Sequence, residues 1–287
     1  MNLHGRSVVP YLLLLPAFLF FVPFVLLPYL HTLGLSLYEW DGLAPARYVG
    51  LMNYREAFAS PLVRSAFVHA ILLVGFFAVL PILLALPLAA ASARAPGGIA
   101  LRTLIFMPQV ISTVVIGVSW SWILALDGPI NAALRGLGLS HSIDWLGSYT
   151  WALPSIGMIG SWMLIGLCLA LFHAGLQRIP ESLYDAAIVD GANVRRRFFA
   201  VTLPGLSNPI AVALTLTVVA ALRVFDLVFV TTRGGPGTET MVPGLMIYRR
   251  AFDDGQLGSA AAIAAVLSLV VFGFTLLINQ VAERQRR

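Results

Sequence analysis

The residues of this 287-residue chain whose types and spacing could do chemistry fall in two places: a polar stretch at 177–208, and the pair Arg223 and Asp226. In the stretch, Pro180 suits a first helical turn, and Glu181 follows where a carboxylate favours the positive helix end. Leu183, Ala186, Ala187 and Asp190 then fall along one side of a short helix. Gly191 permits a sharp change of direction, as a helix-ending glycine does. Beyond it Val194, Phe198 and Val201 recur at helical spacing around Arg195, Arg196 and Arg197, as far as Leu203 and Pro204. The expected build is helix, glycine corner, helix. Arg223 and Asp226 lie three residues apart, which places them on one face of a continuous helix.

Several chemistries are excluded at once. All 18 basic residues are arginine. Without lysine there is no Walker A phosphate loop and no Schiff base. The single cysteine, Cys168, rules out an intrachain disulfide and a multi-cysteine metal site. His69 and His173 have no clustered ligands, so no metal site is expected. Neither His-Glu-x-x-His nor Gly-x-Ser-x-Gly occurs, which leaves a membrane-embedded hydrolase without its catalytic constellation.

The elements that must position these residues are membrane spans. The chain is 59% hydrophobic and 11% charged, against roughly 25% charged in a soluble domain. Six apolar stretches have the roughly 20-residue length of a spanning helix: 11–33, 68–91, 103–126, 151–176, 209–230 and 257–281. They are too long for barrel strands. The first is also too long for a signal-peptide core and has no small-residue cleavage site after it, so it is expected to be a retained span despite its prolines. With the N-terminus inside, the inner segments carry ten arginines against four acids, net +6, and the outer segments seven against eight, net −1. That asymmetry predicts both termini and the 177–208 loop on the cytoplasmic side. Trp40, Tyr48, Tyr54, Trp145, Tyr149, Trp151 and Tyr248 fall near the outer interface. The arginines explain a pI of about 9.8 through orientation, and no nucleic-acid partner is expected. No soluble domain or repeat appears, so the reading is one membrane domain, 1–287.

The loop resembles a known family. Asp185-Ala186-Ala187, three residues, Gly191, nine residues and Val201-Thr202-Leu203-Pro204 is similar to the Glu-Ala-Ala loop of ATP-binding-cassette importer permeases, with Asp185 for Glu and Val201 for Ile. Gly50 to Tyr54 with Phe58, Phe106-Met107-Pro108, Trp120-Ser121-Trp122, Ile143 to Leu146 and Phe225-Asp226 are similar to segments of carbohydrate-importer permeases. Gly234 to Thr240 resembles the outer loop of the maltose- and glycerol-phosphate-type first permease subunit.

The resemblance implies an all-α integral membrane protein with six spans and the type I importer permease fold, in a prokaryotic cytoplasmic membrane. It implies a second homologous permease, two copies of an ATPase that bind ATP and Mg, an external solute-binding protein and a carbohydrate substrate. It makes the loop a coupling element seated on the ATPase, through Glu181, Tyr184, Asp185, Ala186, Ala187, Asp190, Gly191, Arg195, Leu203 and Pro204. Arg195 to Arg197 have a second reading, contact with anionic lipid headgroups. Because sugars offer hydroxyls and apolar ring faces, Trp120, Trp122, Ser161, Trp162, Arg223 and Asp226 are candidates for the substrate path. The aromatic and serine positions read equally as packing, and Arg223 and Asp226 as a mutually neutralising pair. An ion-driven carrier is the rival from another class, for which a mid-membrane carboxylate such as Asp226 would be needed.

Overall fold

The computed structural model describes residues 9–92, 98–138 and 142–284. Arg6, Arg94, Arg286 and Arg287, which enter the charge count above, lie outside them. The described chain is helical apart from turns and one two-stranded hairpin, Tyr38–Glu39 with Arg47–Tyr48. Helix α1 is Leu12–Leu35 and α2 is Pro61–Ser92. The third apolar stretch is a bent pair, α3 (Ile99–Val110) and α4 (Thr113–Ile123), meeting at 101°. Next come α5 (Ala152–Leu176), α6 (Glu181–Val189), α7 (Val194–Gly205), α8 (Ser207–Leu222), α9 (Asp226–Thr231) and α10 (Leu257–Arg284). Among the described residues α1, α2, α5 and α10 are each long and apolar enough to cross a membrane, and counting α3 with α4, and α7 with α8 (67° apart), as one span each gives up to six.

Two expectations need correction. A single helix over 103–126 does not form. Pro108 lacks the N–H that an α-turn needs there, so the chain tightens into a 3₁₀ turn at Met107–Val110 and turns extended at Ile111. Nor is 209–230 continuous. Helix α8 stops at Leu222, Phe225 leaves the helical basin at φ −140° and ψ −61°, and α9 begins at Asp226. Arg223 and Asp226 therefore do not share a helical face. No glycine or proline sits at this break. It sets Arg223 at a helix C-terminus and Asp226 at a helix N-terminus, the ends their charges favour.

The chain divides into two compact units, 1–59 with 247–266 and 60–246 with 267–287. In the first, no described side chain of α1 is buried; Leu13 is 75% and Phe24 74% exposed. A helix apolar on all sides and uncovered by its own chain needs lipid or another chain around it. The hairpin is tied down by Asn53, whose Nδ2 donates to Ser36 O and Tyr38 O at 2.9 Å each. Gly258 closes against the same strand, and a Cβ there would sit 1.9 Å from Tyr38 O. Backbone cannot retreat as a flexible side chain can. Gly258→Ala is accordingly expected to cost about 2 kcal/mol, lowering the unfolding midpoint of the detergent-purified chain by roughly 5 °C. An unchanged midpoint in a thermal-shift assay contradicts the close approach.

In the second unit α5 is the central helix, packed by α2, α3 and α8. Its small residues make this possible, because each admits a different neighbour. A Cβ at Gly160 would overlap the Phe77 ring, one at Gly166 would lie 2.5 Å from Ile105 O, and one at Gly175 2.5 Å from Pro209. Helix α2 carries a π-turn at Gly75–Val79, where the regular hydrogen-bond ladder is interrupted. Ser161 Oγ approaches Phe76 O within that turn at 2.8 Å and Gly157 O at 2.7 Å.

Candidate functional site

The 177–208 stretch forms a corner outside the bundle. Pro180 is extended (ψ 135°) and serves as the N-cap residue of α6, one position ahead of the first-turn place expected for it. Glu181 then opens the helix. At the other end Gly191 N donates to Ile188 O at 3.0 Å and Ala192 N to Ala187 O at 2.9 Å. This paired closure, with Gly191 at φ +73°, is the Schellman ending that a glycine allows. Asn193 restarts the chain, its Oδ1 accepting from Arg196 N at 2.9 Å as an N-cap. Helix α7 continues through a π-turn at Phe198–Thr202 to Gly205, and α8 leaves it at 67°.

The two arms are braced internally. Tyr184 Oη and Thr202 Oγ1 lie 3.0 Å apart, and Thr202 is buried. Tyr184 thus has a structural role in the corner that sequence spacing did not show. Tyr184→Phe is expected to cost about 1 kcal/mol, read as faster amide exchange across 181–205 with membrane levels unchanged. Equal exchange in both proteins removes the brace. The root of the corner is apolar. Phe198 and Leu203 of α7 pack against the cluster of Ile82, Leu169, Phe172 and Leu206. Gly205 lets Ile179 approach; a Cβ there would stand 2.6 Å from it.

The outer surface of the corner is open. Leu183 and Ile188 are about half exposed, and Val189 is 87% exposed. Around them Glu181, Asp185, Asp190 and Arg195 are exposed, as are Ala186 and Pro204, while Ala187 and Leu203 are half-buried. Apolar side chains ringed by charge thus stand uncovered on α6, the kind of exposed patch that interaction sites present.

The second feature is a cleft of about 290 Å³ where both broken spans meet α5. Phe77, Thr113, Met163, Arg223, Phe225 and Asp226 line it. Arg223 and Asp226 are both exposed, and among the described residues no ion pair joins them. The mutually neutralising pair is therefore not formed in this structure; both groups instead open into one space. The aromatic candidates are not brought there. Trp120 and Trp162 pack edge to face at 5.5 Å, and Trp122 is 73% exposed. Ser161 is buried, bonded within the α2–α5 contact. Sequence spacing does not single out Thr113, Met163 or Phe77; Pro108, in the 3₁₀ turn that closes α3 ahead of Thr113, is the one signal that points there. No group of three metal-ligating side chains occurs among the described residues.

A bundle of broken and continuous spans around a largely apolar cleft that holds Arg223 and Asp226, with an exposed corner rooted in its core, is the build of a helical membrane permease. Residues 79–287 match the family described as binding-protein-dependent transport system inner membrane component, and the chain belongs to that family, among its ABC-transporter permeases. It is 32% identical over 280 residues to the probable ABC transporter permease protein YurN of Bacillus subtilis, covering 96% of each chain. To the trehalose/maltose transport system permease protein MalF of Thermococcus litoralis it is 32% identical over 284 residues, 96% of this chain and 94% of that one. In fold it matches a crystal structure of a bacterial ABC transporter involved in import of the acidic polysaccharide alginate, with a TM-score of 0.81 and 25% identity over 97% and 96% of the two chains.

Proposed function

We propose that this chain is one permease subunit of an ATP-driven, binding-protein-dependent carbohydrate importer, coupled to a separate ATPase through the 181–204 corner. One observation carries the reading: the exposed, glycine-stopped helix α6 is joined to α7, whose Phe198 and Leu203 pack against the core. A push on α6 is thereby delivered to α5 and α8, the helices that bound the cleft. The chain has no lysine with which to build a Walker A loop, so ATP and Mg belong on the partner, in two copies. A second homologous permease supplies the other wall of the path and covers the exposed apolar helices. An external solute-binding protein delivers the sugar. The arginine distribution orients the chain with both termini and the corner in the cytoplasm.

The cleft suits a sugar better than an ion. Its volume lies at the low end of small-molecule sites, which start at roughly 300 Å³. It joins aromatic and thioether surface to two charged hydrogen-bonding groups. Closure of the ATPase dimer switches access only because the corner's contacts differ between the two states.

The test is reconstitution with the second permease, the ATPase and the binding protein in proteoliposomes. Sugar uptake is expected only with ATP on the corner side and loaded binding protein on the other. Uptake by the chain alone, driven by an ion gradient, overturns the reading.

A further inference from the structure

Away from the cleft, the end of α5 nearest the corner carries a second, differently built space. It measures about 380 Å³ and lies between α3 and α5. Arg102, His173 and Gln177 line one end, and Phe106, Gly166 and Leu169 the other. Arginine donates in every protonation state a protein reaches. Its contact with His173 Nε2 therefore makes that nitrogen the acceptor and puts the ring proton on Nδ1. Gln177 Nε2 approaches the same nitrogen at 3.2 Å. His173 Nδ1 is buried and has no partner among the described residues. The polar end thus presents a guanidinium and an amide beside the imidazole, and no carboxylate lines it. Toward the middle of the span the walls are apolar, and the floor closes where Gly166 lets the Ile105 carbonyl come near.

We propose that this space binds the phosphodiester headgroup of an anionic lipid, with an acyl chain along Phe106 and Ala170. Donors without a carboxylate select an anion. A polar mouth at a span end, leading into an apolar slot, selects a lipid over a free ion. On the proposed orientation this is the inner leaflet, beside the root of the coupling corner. The binding itself does not depend on that orientation or on transport.

The assembled transporter is purified in mild detergent, given phosphatidylglycerol or phosphatidylcholine, and examined by native mass spectrometry. Wild type is expected to retain phosphatidylglycerol preferentially. Arg102→Gln lowers that retention by about five-fold, and Arg102→Lys keeps most of it. Gln177→Glu, an exposed change that leaves the helix intact, lowers retention by placing an acid at the mouth; it decides the matter if Arg102→Gln does not assemble. Equal retention of the two lipids overturns the proposal, as does unchanged retention in both Arg102→Gln and Gln177→Glu. Displacement of phosphatidylglycerol by millimolar inorganic phosphate assigns the space to a soluble anion and overturns it too.

Discussion

Gly191→Trp abolishes ATP-dependent uptake by the reconstituted importer, while the chain reaches the membrane in wild-type amount. Gly191 sits at φ +73°, and a Cβ built there meets nothing within 4 Å. Any replacement incurs the left-handed backbone cost, about 1–2 kcal/mol, against a total stability of roughly 5–15 kcal/mol. The side chain itself finds open space, so this chain has no internal reason to reject tryptophan. What the indole meets is whatever covers the corner in the assembled transporter. Gly191→Ala provides the control, since it carries the same backbone cost with a single methyl group. Its uptake should fall modestly where the tryptophan variant shows none. Uptake assays paired with immunoblots of the membrane fraction check both, and normal transport by Gly191→Trp sinks the coupling role.

The second large effect concerns the cleft. Arg223→Met and Asp226→Asn are each expected to lower uptake at least ten-fold, about 1.4 kcal/mol of lost interaction with the moving solute. Their thermal stability should stay within about 0.5 kcal/mol of wild type. The two readings of this pair differ in size on the second measurement. Breaking a buried, mutually neutralising pair strands a charge and costs roughly 3–5 kcal/mol. Arg223 and Asp226 are instead exposed in a common cleft with no ion pair between them, so removing one strands nothing. Uptake and unfolding midpoint, measured on the same preparations, separate the cases. A collapsed midpoint in either variant returns the pair to packing.

Much of this was legible in the sequence because it is local. A run of about 20 apolar residues must be helical in lipid, since the backbone has no other way to satisfy its hydrogen bonds there. The Asp185 to Gly191 spacing marks a helix and its stop because a Schellman ending needs only the residues that form it, and the structure closes it with Ala187, Ile188, Gly191 and Ala192. The arginine asymmetry is likewise a property of counting.

Other features depend on partners distant in the chain. The break after Leu222 has no glycine or proline to announce it, and it moved Arg223 and Asp226 from an expected shared helix face to the two ends of an irregular turn. Ser161, a candidate for the substrate path, is instead bonded to a π-turn carbonyl 85 positions away. Tyr184 and Thr202 meet only because the glycine corner folds α7 back toward α6. Sequence alone determined which segments are apolar enough for a membrane, where the first helix of the corner stops and which residue types are missing, because propensity, charge and composition act within a turn or a span. Only the tertiary structure decided which polar side chains face a common space, because that depends on where helices bend and on what the small residues of α5 let come close.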